Sequence, residues 1–245
     1  MDLNISGSGQ IMPGEYDTIR VSGSGRLEGM VRCQNLFTSG AVSGNSIECR
    51  DKFQVSGSGN YSGTVSAGTM IASGGFSFGG NVEARENIAV SGGSSFRGDV
   101  KCKQLQLSGG SKIGGDVEAE FIKVCGAMDC AGLLNAEEIE IEFERGMEVG
   151  SIGGSKIVIY KRHGEAKKKK FRLPLFSSLI KKSTVDTVVV KNSVEGDEIA
   201  LEGVVCPRVS GRVVAIGADC EIELVQYSEQ VEVSPEAKVG RTERI

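Results

Sequence analysis

Tryptophan is absent from this chain, which has only one histidine and four prolines among its 245 residues. No apolar run approaches the roughly 18 residues needed to cross a bilayer. The opening segment MDLNISGSGQ lacks the basic and apolar regions of a signal peptide. We therefore expect a cytoplasmic chain without a transmembrane span. The net charge of −4 gives no general reason to expect nucleic acid as a partner.

The cysteine spacing argues against a disulfide framework or a zinc site. The seven cysteines are odd in number and include no Cys-x-x-Cys pair, a pattern that favours reduced, buried thiols. From the residues alone we predict no metal site, no cofactor and no catalytic residues.

Glycine, by contrast, is abundant: there are 35 glycines, roughly twice the usual share. Of these, 29 fall within residues 1–160, and this uneven distribution indicates an internal repeat. A small-residue pair recurs every 16 to 18 residues, at Ser6-Gly7, Ser22-Gly23, Ser39-Gly40, Ser56-Gly57, Ser73-Gly74, Ser91-Gly92, Ser108-Gly109 and Cys125-Gly126. A second glycine follows seven positions later in most units, at Gly29, Gly63, Gly80, Gly98, Gly115 and Gly132.

Between the glycines, apolar residues occur in pairs two positions apart, which is the period of a strand that buries one face. These pairs include Val31/Cys33, Ile47/Cys49, Phe53/Val55, Val100/Cys102, Leu134/Ala136 and Ile139/Ile141. Each 17-residue unit has three such inward faces, with glycines at two of the three corners, where we expect positive φ. Stacked units pair their strands in parallel, so the predicted fold is all-β, a three-sided parallel β-helix. Its core includes Cys33, Cys49 and Cys102.

Composition divides the chain into four regions. The β-helix repeat covers residues 1–160, a basic and apolar insert covers 161–184, further β coils cover 185–227 and a polar tail covers 228–245. Alternating apolar residues in the third region predict that it continues or caps the same rod. The tail is rich in Glu, Lys, Ser and Arg, a composition that predicts disorder.

The Ser-Gly opening, the Gly-x-Val-x-Ala/Cys stretch and the apolar-x-apolar pair resemble the bactofilins, polymer-forming bacterial cytoskeletal proteins. Residues 91–107 (SGGSSFRGDVKCKQLQL) and 108–124 (SGGSKIGGDVEAEFIKV) look like single bactofilin coils. The resemblance implies a right-handed parallel β-helix that polymerises end to end into non-polar filaments without nucleotide, often at the cytoplasmic membrane. It also implies roles in cell shape or in flagellar assembly and motility, with flagellar or cell-envelope proteins as partners.

A β-helix exposes unpaired backbone groups at its ends unless a helix or loop covers them. The five residues Met1 to Ile5 before the first coil are too few for a stable amphipathic cap. We therefore expect the ends to pair with further copies of the chain, through Leu3, Ile5, Val214, Ile216, Ile222 and Tyr227. The alternative is that the carboxy-terminal segment covers an end, which leaves a non-polymerising adaptor for a protein partner.

The segment from Lys161 to Lys182 contains nine basic residues and one glutamate, interleaved with Phe, Leu and Ile. A polybasic run beside large apolar side chains is typical of contacts with anionic membrane surfaces. The predicted membrane contacts are Lys167, Lys168, Lys169, Lys170, Phe171, Arg172, Leu175, Phe176, Lys181 and Lys182. A solvated linker and a site for nucleic acid or an acidic partner are the competing interpretations.

Two classes of enzyme share a stacked-coil architecture. Left-handed β-helix acyltransferases use hexapeptide repeats of about 18 residues per turn and typically a histidine base. This repeat is 17 residues long, and the single histidine, His163, lies in the basic insert. Polysaccharide-cleaving β-helices need converging carboxylates, whereas Asp99 and Asp116 recur at outward positions just after a corner glycine. The sequence therefore favours a non-enzymatic scaffold over a β-helix enzyme.

Overall fold

The computed structural model describes residues 1–162 and 186–245, and these residues form one continuous β structure without a helix. Its eighteen strands are β1 (Leu3–Ile11), β2 (Gly14–Leu27), β3 (Val31–Gly44), β4 (Ile47–Tyr61), β5 (Val65–Ala67), β6 (Thr69–Phe78), β7 (Val82–Ala84), β8 (Asn87–Phe96), β9 (Val100–Lys101), β10 (Gln104–Ile113), β11 (Val117–Glu118), β12 (Phe121–Phe143), β13 (Met147–Lys161), β14 (Val188–Val190), β15 (Ser193–Leu201), β16 (Val204–Ile216), β17 (Glu221–Val233) and β18 (Lys238–Arg244).

Strands pair in parallel with strands one turn away along the chain. The register step is close to 17 residues, so that Leu3 lies beside Ile19 and Gln104 lies beside Phe121. The predicted three-sided parallel β-helix is therefore confirmed, with about 13 turns. At about 4.8 Å per turn, the rod is roughly 60 Å long.

The apolar core runs along the axis as three columns of inward side chains. Face 1 begins with Leu3 and Ile5 and ends with Val231 and Val233. Face 2 begins with Ile11 and ends with Val239. Face 3 begins with Tyr16 and ends with Thr242 and Arg244. Because every turn adds one row to each face, like side chains lie above one another. The stacked rings of Tyr61, Phe78 and Phe96 and the neighbouring Cys33 and Cys49 are examples. The third predicted core cysteine, Cys102, is buried in the same column as Cys33 and Cys49.

Glycine is required at the corners for two different reasons. At Gly109 the backbone has φ of +107°, and an added Cβ atom would lie 2.6 Å from the carbonyl oxygen of Gly92. Glycines of the second column, except Gly29, do not have positive φ, so that expectation is wrong for most of them. At these positions a larger residue is excluded because its side chain would collide with the preceding turn. A Cβ atom on Gly80, for example, would lie 2.8 Å from the backbone of Gly63 in the preceding turn.

The carboxy-terminal strands stack on the same rod after the insert. Met147 pairs with Val188 and Ile152 with Val194, so the solenoid resumes in register although about 40 residues separate these partners along the chain. Residues 163–185, which hold most of the insert, lie outside the described residues.

The expectation of a disordered tail over residues 228–245 is wrong, because β17 extends to Val233 and β18 covers Lys238–Arg244. Three valines, Val231, Val233 and Val239, supply the inward rows of this last turn. The charged residues of this turn are mostly exposed to solvent. They therefore remain hydrated in the strand and do not oppose its formation. In-register pairing with a preformed strand therefore outweighs a polar composition.

The corner geometry predicts unequal effects for two adjacent glycines. Gly109→Ala should lower the free energy of unfolding by about 1–3 kcal/mol. The alanine would have to adopt a positive φ, and its methyl group would collide with the carbonyl oxygen of Gly92. Gly110→Ala is the matched control, since an added Cβ atom there has no heavy atom within 4 Å. Urea denaturation of both variants measures the difference. Equal destabilisation would contradict this account of the corner.

Candidate functional site at the ends of the solenoid

The amino-terminal end presents an open strand edge. Within the described residues β1 pairs only with β2, so the backbone groups on its outer edge have no strand beside them. Leu3 and Ile5 point toward the core and are only half-buried, because no further row lies over them. The strand, LNISGSGQI, contains neither a charged residue nor proline. Met12, which follows β1, is 58% exposed, and Met30, in the next turn, is 43% exposed. β1 is therefore an unpaired edge without charged side chains, whereas residues 14–18 of β2, which complete the first turn, add the carboxylates of Glu15 and Asp17 to this end.

The carboxy-terminal end is formed by the second half of β17 and by β18. Within the described residues β18 pairs only with β17, and Val231 and Val233 form the last row of face 1. Val233 is 40% exposed, and Val231 and Val239 are half-buried. Apolar rows on faces 1 and 2 are thus open at this end as well.

The structure does not place three of the predicted end residues at the open end. Val214, Ile216 and Ile222 are almost completely buried, because the row from β17 and β18 covers them. Tyr227 is half-buried and pairs with Arg244 in β18. These residues were predicted to lie at the end because residues 228–245 were predicted to be disordered. Residues 228–245 instead form one more turn, which covers them.

The two ends differ in charge. β18 carries Lys238, Arg241 and Arg244 against one glutamate, Glu243, and Pro235 stands in the corner before it. The inward position at the end of face 3 belongs to Arg244, whose Nε donates a hydrogen bond to the carbonyl oxygen of Ser228 at 3.2 Å. Lysine, proline and inward charges are features by which proteins discourage pairing at a strand edge. β1 has none of them, so its edge is the more receptive of the two.

The recurrent carboxylates of the rod have a structural role that the sequence reasoning missed. The side chain of Asn81 accepts a hydrogen bond from the backbone N–H of Asp99 at 3.1 Å. Asp99 accepts one from the N–H of Asp116 at 3.0 Å, and Asp116 accepts one from the N–H of Leu133 at 2.8 Å. In this corner ladder, formed by Asn81, Asp99 and Asp116, each side-chain oxygen accepts a hydrogen bond from a backbone N–H of the following turn. The signal for it was present in the spacing of Asn81, Asp99 and Asp116, which is close to the repeat period.

The basic insert is described only at its start. The guanidinium of Arg162 forms ion pairs with Glu142 at 3.5 Å and with Glu144, so this cation is engaged by the rod. His163 and all of the predicted membrane contacts, from Lys167 to Lys182, lie outside the described residues. Within residues 1–162 and 186–245, no cluster of three or more His, Cys, Asp or Glu side chains could hold a metal ion. No helix in the same ranges is long and apolar enough to cross a membrane.

Comparison with known proteins gives a family match at the amino-terminal end. The family model for bactofilins, described as polymer-forming cytoskeletal, matches residues 1–82. The matched segment includes the open β1 edge and the turns stacked on it. Neither the curated proteins nor the solved structures contained a match to this chain.

The corner ladder makes a prediction about Asp116. Asp116→Ala should lower the free energy of unfolding by about 1 kcal/mol, because the N–H of Leu133 loses its acceptor. Asp116→Asn should stay close to the parent, since an amide oxygen accepts the same bond, as that of Asn81 does two turns earlier. Chemical denaturation distinguishes the two variants. Equal losses in both would show that the carboxylate charge matters rather than the acceptor oxygen.

Proposed function

Because residues 1–82 of this chain carry a bactofilin domain, of the polymer-forming cytoskeletal family, we propose that the protein is a non-enzymatic scaffold that assembles end to end without nucleotide. The observation that carries this proposal is the open β1 edge. The proposed partner of each end is another copy of the same chain.

The β1 edge offers both backbone and side-chain contributions to a junction. Each backbone hydrogen bond formed across it contributes about 1 kcal/mol. Covering a large apolar side chain such as Leu3 or Ile5 contributes at most about 2 kcal/mol, less for groups already half-buried. Association costs at least 4 kcal/mol in lost motion. Several backbone hydrogen bonds along the nine-residue strand, together with the cover of both side chains, exceed this minimum cost, so the proposed junction combines backbone pairing with apolar burial.

Filament growth needs a second junction at the β18 end. Val231, Val233 and Val239 supply apolar rows there. Lys238 pairs with Glu221 and Arg241 with Glu243, but β18 still holds more cations than anions, and this excess opposes close approach of a similarly charged edge. The proposed junction at this end is therefore the weaker one, and added salt should strengthen it by screening like charges. Assembly would then proceed through paired amino-terminal ends before it extends into filaments.

Two observations support a scaffold over an enzyme. The recurrent carboxylates Asp99 and Asp116 are engaged by backbone N–H groups of the rod, which accounts for their spacing without catalysis. The matched family is a structural one. A non-polymerising adaptor is the second candidate, favoured by the charged residues of β18 that discourage one of the two junctions.

The proposal predicts that inward charges on β1 will weaken assembly. In the variant Leu3→Lys with Ile5→Lys, two ammonium groups would be buried at the junction. Self-association should fall at least tenfold, equivalent to about 1.4 kcal/mol. The matched control is Asn4→Lys with Ser6→Lys, which adds the same charge to exposed positions of the same strand. Sedimentation velocity and negative-stain electron microscopy in physiological salt give the readout.

Each result bears directly on the proposal. Filaments in the parent and the control but not in the test variant would support β1 as a junction. Parent dimers that the same variant dissociates would restrict the scaffold to one functional end. A monomeric parent would overturn end-to-end assembly and favour the adaptor. Circular dichroism of the variants verifies that the rod remains folded, because only the outermost turn is altered.

We further propose that the insert holds the polymer against the inner face of the cell membrane, where it would support cell shape or flagellar assembly and motility. The basis is the sequence of residues 161–184, in which basic residues flank a stretch rich in Phe and Leu. Each lysine near an anionic surface contributes about 1 kcal/mol. With Arg162 paired to the rod, the proposed membrane contacts begin at Lys167.

Charge reversal in the insert tests this attachment. Replacing Lys167, Lys168, Lys169 and Lys170 by Glu, with Phe171→Ser and Phe176→Ser, should abolish sedimentation with phosphatidylglycerol vesicles while assembly persists. The control reverses four exposed cations of the rod, Arg50, Arg97, Lys112 and Lys156. That control should retain binding. Undiminished binding by the insert variant would exclude the insert as the membrane contact.

A further inference from the structure

Two of the cysteines lie against each other in the core near the amino-terminal end. Cys33 and Cys49 are register partners on face 3 in neighbouring turns, and each is less than 5% exposed. Their Sγ atoms are 3.1 Å apart, and both thiols are free. The pair therefore brings two sulfur atoms together without any intervening side chain.

The other described cysteines have different neighbours. Cys102 occupies the same column, but its register places it between Ala84 and Ala119. The thiols of Cys130, Cys206 and Cys220 donate to backbone carbonyl oxygens, and that of Cys125 donates to Glu142. Within the described residues, a thiol contacts another thiol only at Cys33 and Cys49. Alanine fills equivalent rows of the column at Ala67 and Ala84, so packing does not require sulfur here.

The hydrogen bond within the pair favours release of one proton, and burial opposes that release. The hydrogen bond with Cys49 lowers the pKa of the Cys33 thiol, because the Cys49 thiol stabilises a Cys33 thiolate. The same bond, followed by burial, raises the pKa of Cys49. Tyr61 lies in this part of the core, where burial and then the nearby Cys49 and Cys33 raise its pKa. Among the residues that the structure describes, no group is a hydrogen-bond partner of its buried hydroxyl. The site thus contains a thiol of lowered pKa, Cys33, with a second sulfur 3.1 Å away.

The backbone is also suited to a covalent bond between these residues. Register partners in a parallel sheet lie about one strand spacing apart, roughly 4.8 Å, within the Cα separation of about 4.4–6.8 Å found in disulfides. A register irregularity follows immediately, between Cys33 and Asn35, where the next turn contains one extra residue. That corner can absorb the small shift that brings the sulfurs to bonding distance.

We propose that Cys33 and Cys49 form a peroxide-oxidisable dithiol whose disulfide cross-links the second and third turns of the rod. The Cys33 thiolate attacks one peroxide oxygen, the O–O bond breaks, and the departing oxygen takes a proton and leaves as water. The Cys49 sulfur then displaces the hydroxyl of the resulting sulfenic acid, which leaves as a second water. Two thiols are oxidised and one peroxide is reduced, and a small dithiol reverses the change.

The cross-link would tie turns close to the open β1 edge. Both cysteines are buried, so peroxide reaches them through local opening of the terminal turns, which have fewer stacked neighbours than the middle of the rod. Once formed, the disulfide opposes that opening by closing a loop of 16 residues. Oxidation would therefore stiffen the end that carries the open strand.

Mass spectrometry of the full chain tests this proposal directly. Trypsin releases residues 33–50, CQNLFTSGAVSGNSIECR, as one peptide that contains both cysteines and no other. After treatment of the folded protein with hydrogen peroxide and alkylation, this peptide should be about 2 Da lighter than its unalkylated reduced form. Dithiothreitol should restore two alkylatable thiols. The thermal midpoint of the oxidised protein should rise by about 5 °C.

Matched variants show whether the pair acts as proposed. Cys33→Ala should abolish the loss of two hydrogens and the rise in thermal midpoint, whereas Cys102→Ala in the same column should preserve both. Persistence of two free thiols in residues 33–50, or oxidation at the half-buried Cys125 alone, would overturn the proposal. So would an equal yield of the disulfide in denaturing guanidinium chloride. None of these readouts depends on assembly, so the result is independent of the proposed scaffold function.

Discussion

In-register stacking of parallel strands at a spacing of about 4.8 Å is the constraint on which the rest of the structure depends. Each turn must match the turn below it in outline, because all three faces pair at once. The corner glycines make this match possible: at Gly109 a side chain would collide with the Gly92 carbonyl of the preceding turn. Within this outline, a 15 to 19 residue step is tolerated by small register irregularities, such as the one between Cys33 and Asn35.

Stacking of this kind also places each residue type beside its own copies. It produces the aromatic column of Tyr61, Phe78 and Phe96, and the 2.8 Å hydrogen bond between the buried hydroxyls of Ser94 and Ser111. The corner ladder through Asp99 and Asp116 and the contact between Cys33 and Cys49 have the same origin. Stacking can therefore bring two reactive side chains together from neighbouring turns, as it does for Cys33 and Cys49.

The same constraint gives the rod its ends. A stacked coil satisfies its backbone groups everywhere except at the first and last strands, so β1 and β18 are the places where another chain can add. Their side chains differ, with Leu3 and Ile5 on a charge-free edge and Lys238, Arg241 and Arg244 on the other. An end-to-end scaffold built from this rod would consequently have two unequal junctions.

The 17-residue period, the three inward faces, the parallel pairing and the buried cysteines were determined by the sequence itself, because glycine spacing and apolar alternation are local properties that repeat. Composition was a poor guide where the repeat lost its Ser-Gly openings. The segment after Ser228 was predicted to be disordered from its charge, yet it forms the final turn, because a neighbouring strand supplies the pairing that an isolated polar segment lacks.

Only the tertiary structure decided which residues lie at an open end. Leu3 and Ile5 are there, whereas Val214, Ile216 and Ile222 are covered by one further turn, and burial depends on how many turns follow rather than on any local pattern. The separation of the Cys33 and Cys49 sulfurs was likewise beyond the sequence. It depends on the register between two turns, and a shift of one residue would direct one of the side chains to the opposite face of its strand.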